Sequence, residues 1–369
     1  MDGLGVGAMP DAPAYQKGAN TVGHVAPLEK QDLLSTLAAL GLFEVAAGRS
    51  RYNATFAALG YPGADSYLGH NELLGGTVPD TRPDTVRGRF PELVTALKQA
   101  GFIACPLADG GALWINEGIL ISDNLENEPG MAINLAGTLD VIDIPTLNKA
   151  ADVVRSKVRN PRVIAFASPN ICPADIKAAL HTTPEGLTGI VTPDVGFYKE
   201  GYQVRHVGIG FNAEQELPHK LLQAGYHVEL IGKMADVAEG NDPLPRRPVV
   251  DTAGVLEDIG LSWQKLSSGL IAATVQETDL AGHAKDAPRL FRVLKQVNDW
   301  LVGFLPSVTD DCLFIMTADH GNDPGYTSHH TREYVPVLAY GALPYALTPM
   351  LDLKGVAALL AAFFGISLS

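Results

Sequence analysis

The sequence predicts an α/β fold with parallel strands, one unit carrying the chemistry and a second inserted into it. Three observations point there. Short apolar or β-branched runs alternate with stretches of helical periodicity, and each of the clearest runs is followed by polar residues or glycine. Histidines also gather late in the chain: His283, His320, His329 and His330, four of the ten, fall within 48 residues. In chain order, residues 28–42 read as an early helix. Strands are expected at 118–122, 163–167 and 189–192, in a stretch from about 88 to 208 with almost no histidine. Strands at 228–231 and 270–275 follow. Residues 290–305 carry Leu290, Phe291, Leu294, Val297, Leu301 and Phe304 on one helical stripe. Strands at 312–317 and 335–340 are continuous apolar runs, as expected where both sheet faces are covered, and 355–364 reads as a terminal helix.

Composition narrows the function. The 369 residues include 41 acidic and 27 basic side chains, a formal charge of −14, which argues against binding nucleic acid or anionic lipid through bulk charge. With 46% hydrophobic residues and a mean hydropathy of +0.10, a sizeable core is expected and disorder is excluded. Cys105, Cys172 and Cys312 are far apart and lack C-x-x-C spacing, so neither a disulfide framework nor a thiolate zinc site is expected. No apolar run approaches the ~18–20 residues that span a bilayer, and the N-terminus lacks signal-peptide character. A cytoplasmic protein is the expectation, with no membrane or nucleic-acid partner and no protein partner predictable.

The residues that carry chemistry follow strands. After the 270–275 strand comes Glu277-Thr278-Asp279-Leu280-Ala281-Gly282-His283. Asp279 and His283, four residues apart, share a face if the segment is helical, so both can reach one metal; alternatively Asp279 is a helix cap. After the 312–317 strand come Asp319 and His320, which point in different directions and can serve two metals, with Gly321 allowing the turn. His330 follows ten residues on. Such Asp/His clusters mark metal or catalytic sites. Oxygen and nitrogen donors without thiolate favour Mn²⁺ or Zn²⁺, and two such ions clamp a phosphoryl group and activate an oxygen nucleophile. Ser66, in Asp65-Ser66-Tyr67-Leu68-Gly69-His70, offers that hydroxyl; taken alone it is an ordinary turn or capping serine.

Taken together, these motifs resemble the phosphopentomutases of the alkaline phosphatase superfamily, alongside the cofactor-independent phosphoglycerate mutases. T-A-D-H-G-N-D-P with H-T-R-E-Y-V-P-V-L-A-Y (317–340) is nearly the mutase signature, and D-G-L-G-V-G-A-M-P-D-A with N-T-V-G-H (2–24) matches the N-terminal motif. D-S-Y-L-G-H-N-E-L-L-G (65–75) and I-G-K-M-A-D (231–236) are similar to two further mutase segments. The resemblance implies a three-layer, alkaline-phosphatase-like core with a mostly parallel sheet, over 1–87 and 209–369, and an α/β cap over 88–208 that closes on the substrate. It implies two Mn²⁺ ions (Zn²⁺ or Mg²⁺ less favoured), one held by Asp279, His283 and His330, the other by Asp2, Asp319 and His320. Ser66 stands where the family has threonine and would touch both. Lys233 would balance charge, and Asp123 would bind sugar hydroxyls. The implied activity moves phosphate between C1 and C5 of ribose or deoxyribose through a phosphoserine, with a sugar bisphosphate as activator and a place in nucleoside catabolism.

Several departures open alternatives. The Asp279–His283 spacing is closer to the phosphoglycerate mutases. Phe166 and Val195 stand where phosphopentomutases carry cap arginines that bind sugar phosphate; Arg205 or Lys199 are candidates to replace them. A phosphatase or mutase for another phosphorylated metabolite therefore stays open, as does a non-catalytic metal- or ligand-binding relative. The superfamily also places an apolar strand directly before its first metal-binding aspartate, whereas only Met1 precedes Asp2. The expectation is a first core strand that is truncated, through a reading frame started late or, alternatively, through decay.

Overall fold

The computed structural model of the chain describes residues 1–126, 130–238 and 245–368. They form two compact units, Met1–Val78 with Phe211–Ser369, and Pro79–Gly210 between them in sequence. The first boundary lies earlier than residue 87 because Val86 belongs to the inserted unit. It is fully buried in that unit's core, and its N–H donates to Asp123 Oδ1 at 2.8 Å.

Strand β1 (Ala54–Ala57) belongs to the first unit. The inserted unit carries β2 (Ala104–Leu107), β3 (Ala112–Ile115), β4 (Ile119–Asp123), β5 (Ala132–Thr138), β6 (Arg162–Ser168), the two-residue strands β7 (His181–Thr182) and β8 (Thr188–Gly189), and β9 (Gln203–Gly208). The first unit resumes with β10 (His227–Ile231), β11 (Arg246–Arg247), β12 (Gly269–Ala273), β13 (Leu313–Thr317) and β14 (Val335–Gly341). Two local expectations change. The early helix is broken: a 3₁₀ segment Leu28–Leu34 leads into Ser35–Leu40, which ends at Gly41 with φ 104° before Leu42–Ala46 begins. A Cβ at Gly41 would lie 2.7 Å from that of Ala54, so the left-handed stop also lets β1 approach. The strand expected at 189–192 shortens to β8, because Pro193 opens the helix Thr192–Val195.

In the first unit the sheet is mixed and open in the middle. β10 pairs in parallel with β11 and β12; β14 pairs antiparallel with β1 and β13. β12 and β13 are therefore edges of two separate three-stranded sheets, and both line one cavity of about 560 Å³. The apolar run of β13 is the visible consequence. Leu313, Phe314 and Ile315 are only half-buried, although their sequence is that of a strand covered on both faces. Met1 and Asp2 bond to both edges of the gap: the Met1 amino group donates to Thr317 O at 2.8 Å and the Asp2 N–H to Val275 O at 3.0 Å. The long helix Ala287–Phe304 buries Leu290, Leu294, Val297 and Leu301 of the expected stripe and Val293 beside them, while Phe291 and Phe304 are half-buried. Its buried Asn298 accepts from Thr36 N and Leu37 N at 2.9 and 3.1 Å, satisfying open N–H groups at the start of Ser35–Leu40.

The inserted unit is a six-stranded sheet in the order β2-β3-β4-β5-β6-β9, with only β5–β6 parallel. Helices Phe90–Gln99 and Ile144–Arg155 cover one face. On the other, Phe166 packs edge-on against Phe197 at 5.0 Å, in a cluster with Trp114 and Ile176 that Val195 also joins. Arg205 lies opposite Ala165 in the β6–β9 ladder, so it shares Ala165's face and not that of Phe166. There it is tied to Asp152 at 2.8 Å and to Asn148 O at 3.3 Å, and Lys199 contacts Asn170 O at 3.4 Å. Asp123, buried at the end of β4, gives one oxygen to Val86 N and the other to Thr188 N at 2.9 Å. Asp123→Ala would leave two buried N–H groups without acceptors, a loss of about 2–4 kcal/mol. Denaturant unfolding should show this loss; unchanged stability with lost substrate binding would instead favour the sugar-hydroxyl role.

Candidate metal centre

Each element brings its residue to one end of the first unit's strands. Beyond β12, Gln276 is the N-cap of helix Glu277–His283 and makes no side-chain cap bond. Asp279 is therefore not the cap, and it projects with His283 from one helical face. Beyond β13 the chain presents Asp319 and His320, then doubles back: Gly321 and Thr331 exchange backbone bonds at 3.1 and 2.7 Å, which stacks His330 on His320 with ring centroids 3.8 Å apart. Ser66 is the first residue of helix Ser66–Leu73, whose N-cap is Asp65, accepting from Leu68 N at 3.0 Å. The capping task thus falls to Asp65 and leaves the Ser66 hydroxyl to the site. Gly69 allows the close approach, since a Cβ there would lie 2.6 Å from Asp319 O.

The resulting cluster is dense. Ser66 Oγ donates to Asp319 Oδ2 at 2.8 Å and lies 3.4 Å from Asp2 Oδ1. Asp2 Oδ2 accepts from Lys233 Nζ at 2.8 Å, and the same ammonium is 3.7 Å from Asp279 Oδ2. His320 Nε2 lies 3.1 Å from Asp319 Oδ2 and 3.6 Å from Asp2 Oδ1. His283 and His330 each place Nε2 3.4 Å from an Asp279 oxygen and 3.1 Å from one another. Asp2, Asp279, Asp319 and His320 are all at least 97% buried.

Burial raises the Asp2 carboxyl to about 6, helped by the Asp319 charge and opposed by Lys233. Burial would also raise Asp279 and Asp319, yet the imidazoles around them and, for Asp279, Lys233 hold both well below the usual carboxylate range. Lys233 stays protonated: burial works against its charge, and Asp2, Asp279 and Asp319 outweigh it. Burial likewise opposes a charged His320, but Asp319 raises it to about 9. His330, buried beside His320, falls to about 4.

These residues fit divalent cations. Nδ1 of His283, His320 and His330 lies at 2.7, 3.1 and 2.6 Å from the carbonyls of Ser328, Gly321 and Ala64. A carbonyl only accepts, so each Nδ1 carries a proton and each ring turns Nε2 inward as the atom a cation would take, the arrangement that orients metal-binding histidines. The Nε2 atoms of His283 and His330 face each other at 3.1 Å, a contact that needs a cation or a shared proton between them. His320 Nε2 is buried and makes no well-formed hydrogen bond among the described residues. Two donor groups have ligand atoms within 4.8 Å of one another: Asp2 with Asp319 and His320, and Asp279 with His320 and His330. The first is the set expected from the sequence. In the second, His320 stands in the place expected of His283, which nonetheless adjoins both other members.

Lys233 and Ser66 thus lie among the metal-ligand candidates, whereas Asp123 lies in the inserted unit. Sequence reasoning missed the residues that hold the cluster. His70 reaches Asp319 Oδ2 at 2.9 Å and Thr274 Oγ1 at 3.0 Å. Asn322 Nδ2 donates to Asp279 Oδ1 at 2.8 Å, and the Tyr61 hydroxyl to Asp319 O at 2.8 Å. Arg332 donates to the carbonyls of Tyr61, Gly63 and Leu59 at 2.7, 2.6 and 3.3 Å, tying the loop before Ser66 to the segment after His330. His70, Asn322 and Arg332 all sit inside the quoted motifs; their position there was the available signal.

The model of the metalloenzyme superfamily matches residues 1–366. The phosphopentomutase of Dictyoglomus turgidum is 27% identical over 362 residues, covering 92% of this chain and 86% of that protein. That of Syntrophotalea carbinolica is 28% identical over 360 residues, with the same coverage of each. Among solved structures, the Leishmania mexicana phosphoglycerate mutase, determined at low cobalt concentration, superposes with a TM-score of 0.50 at 14% identity, covering all of this chain and 94% of that one. This last likeness concerns the fold. The chain belongs to the metalloenzyme superfamily, and within it is similar to the phosphopentomutases.

The His320 proton has a measurable consequence. A cation taking Nε2 must displace a proton held up to about pH 9, so binding releases it below that pH. Mn²⁺ affinity should rise by up to about tenfold per pH unit through this group and flatten above pH 9. Titration calorimetry in buffers of different ionisation enthalpy reads the released proton; pH-independent affinity would contradict the assignment.

Proposed function

We propose that this member of the metalloenzyme superfamily is a Mn²⁺-dependent phosphomutase that moves a phosphoryl group between the C1 and C5 oxygens of ribose or deoxyribose. The observation that carries the reading is the place of Ser66 Oγ, between Asp319 Oδ2 and Asp2 Oδ1, at the junction of the donor groups. Asp279, His283 and His330 would hold one ion, and Asp2, Asp319 and His320 the other. Two such cations supply positive charge to a transferring phosphoryl group and favour the deprotonated form of a nearby hydroxyl.

Ser66 is the nucleophile in this reading. Its hydroxyl is oriented by donation to Asp319 Oδ2 at 2.8 Å, and the cations would favour loss of that proton to solvent. As the Oγ–phosphorus bond forms, the bond from phosphorus to the sugar oxygen breaks, and that oxygen takes up a proton. The phosphoserine sits at the first turn of Ser66–Leu73, where helix N–H groups favour negative charge. Lys233, held charged by Asp2 and Asp279, offsets the added phosphate. A sugar bisphosphate, the activator, loads Ser66 in this way; the phosphoserine then passes its phosphoryl group to the free hydroxyl oxygen of a sugar monophosphate, which loses its proton as the Oγ–phosphorus bond breaks. The bisphosphate so formed reorients and returns its other phosphoryl group to Ser66, releasing the isomeric monophosphate. Asp123 is left out of the proposed substrate contacts, because both its oxygens are engaged by backbone N–H groups.

A second reading, a phosphatase or mutase for another phosphorylated metabolite, is favoured by the inserted unit. Phe166 and Val195 join an apolar cluster there, and Arg205 is committed to the other face of that sheet. Incubating the Mn²⁺-loaded protein with ribose 1-phosphate, and following ribose 5-phosphate and free phosphate together, separates the two readings. Ser66→Ala should lower turnover on the order of 10⁴-fold or more and abolish labelling from a phosphoryl donor. Labelling that survives in this variant would remove Ser66 from the role.

A further inference from the structure

Glu333 is fully buried in the first unit and belongs to neither donor group. The residues bonded to it nonetheless lie on the segments that carry Asp2 and His330. The N–H groups of Gly7 and Thr21 donate to Oε2 at 3.1 and 2.9 Å, and the hydroxyls of Thr21 and Thr331 meet Oε1 at 2.7 and 2.6 Å. Each hydroxyl also takes a backbone N–H from the turn after His320. Asn322 N–H reaches Thr21 Oγ1 at 3.3 Å, and Asp323 N–H reaches Thr331 Oγ1 at 3.2 Å. A hydroxyl has one proton and a carboxylate only accepts, so both protons point to Glu333 and the lone pairs to the turn. Two glycines make space for this carboxylate. A Cβ at Gly5 would overlap Oε2, and one at Gly321 would lie 2.5 Å from Oε1. Neither glycine has a positive φ, so room is what each supplies.

On the reading of Asp279 as a cation ligand, we propose that Glu333 is a positioning residue for the metal centre, acting through the Thr21 hydroxyl and Asn322 to hold Asp279 in place for its ion. The last link is direct: Asn322 Nδ2 donates to Asp279 Oδ1 at 2.8 Å and to Asp279 O at 3.2 Å. Both of these oxygens are acceptors, which fixes the orientation of the Asn322 amide. With Oδ1 held on this side, Asp279 turns Oδ2 toward Lys233 and His283. The route thus runs from an anion outside the ligand sets, through one hydroxyl and one amide, to a carboxylate inside them. Outer hydrogen bonds of this kind orient a ligand, and their loss typically costs about 10–100-fold in metal affinity.

Thr21→Val removes the hydroxyl at constant shape and leaves Glu333 its backbone donors, whereas Thr21→Ser keeps the hydroxyl. Mn²⁺ uptake by the full chain can be read from the EPR signal of the free ion. In Thr21→Val one of the two ions should bind about tenfold or more weakly, and in Thr21→Ser both should stay near the parent value. In an Asn322→Ala background, Thr21→Val should add no further loss, because the route is already cut. Glu333→Gln, which puts an amide N–H against one pair of the former donors, should weaken the same ion. A merely structural role would lower the thermal midpoint of Thr21→Val and leave the Mn²⁺ affinity of the folded protein unchanged. That result would overturn the proposal, as would equal weakening of both ions or full additivity with Asn322→Ala. No Mn²⁺ uptake by the parent chain would instead overturn the reading of Asp279 as a ligand, and the proposal with it.

Discussion

Three carboxylates, Asp2, Asp279 and Asp319, are buried within reach of one ammonium and four imidazoles, and the first unit is arranged around that concentration of charge. Isolated, any one of these carboxylates would lose its charge to desolvation. Together with Lys233 and the histidines, Asp279 and Asp319 keep theirs, while Asp2 is raised to about 6. The surrounding backbone serves the same end. Three carbonyls fix the histidine tautomers, and Asn322 and Tyr61 occupy what would otherwise be open donor or acceptor positions on the Asp279 and Asp319 segments. Arg332 neutralises three loop carbonyls at once. A centre of this kind tolerates little movement, which is why Gly69 lets the Ser66 helix pack directly against Asp319 O.

Much of this was legible because local spacing carried it. Asp279 and His283 need only one helical turn to share a face, and Asp319 with His320 needs only a strand ending in glycine. Apolar runs announced β10, β12, β13 and β14 within a residue or two. What local spacing could not carry was the partner of a side chain far away in sequence. His70, Asn322 and Arg332 act through Thr274, Asp279 and the 59–63 loop, and no periodicity encodes those distances. The same limit explains Asp123. Its expected role rested on the family resemblance alone, while its bonds to Val86 and Thr188 exist only once the inserted unit has folded. The helix at 28–42 was overread for a different reason: its apolar pattern continues through Gly41, but the backbone does not.

The inserted unit places a physical constraint on recognition. Replacing a guanidinium by Phe166 or Val195 removes fixed donors and, in this structure, supplies apolar packing: Phe166 lies against Phe197 and Tyr202, with Val195 in the same cluster. An arginine put back at Phe166 would have to displace that packing or bury its charge among aromatic rings. The departure from the phosphopentomutase pattern is thus built into the fold of the unit and is not a single exchangeable side chain.

The gap between β12 and β13 and the charge cluster meet at Asp2. This residue donates from its backbone to Val275 O beyond β12, accepts from Thr278 Oγ1 at 2.6 Å on its own carbonyl, and follows a Met1 that bonds to the end of β13. Its carboxylate, paired with Lys233, is therefore located by both half-sheets at once. Separation of β12 from β13 moves one anchor relative to the other, and with them the distance from Asp2 to Asp319. The helices Ala287–Phe304 and Thr252–Lys265 line the gap between β12 and β13 but make no ladder across it. The bonds of Met1 and Asp2 to the ends of the two half-sheets are consequently what ties the two donor groups together along the backbone.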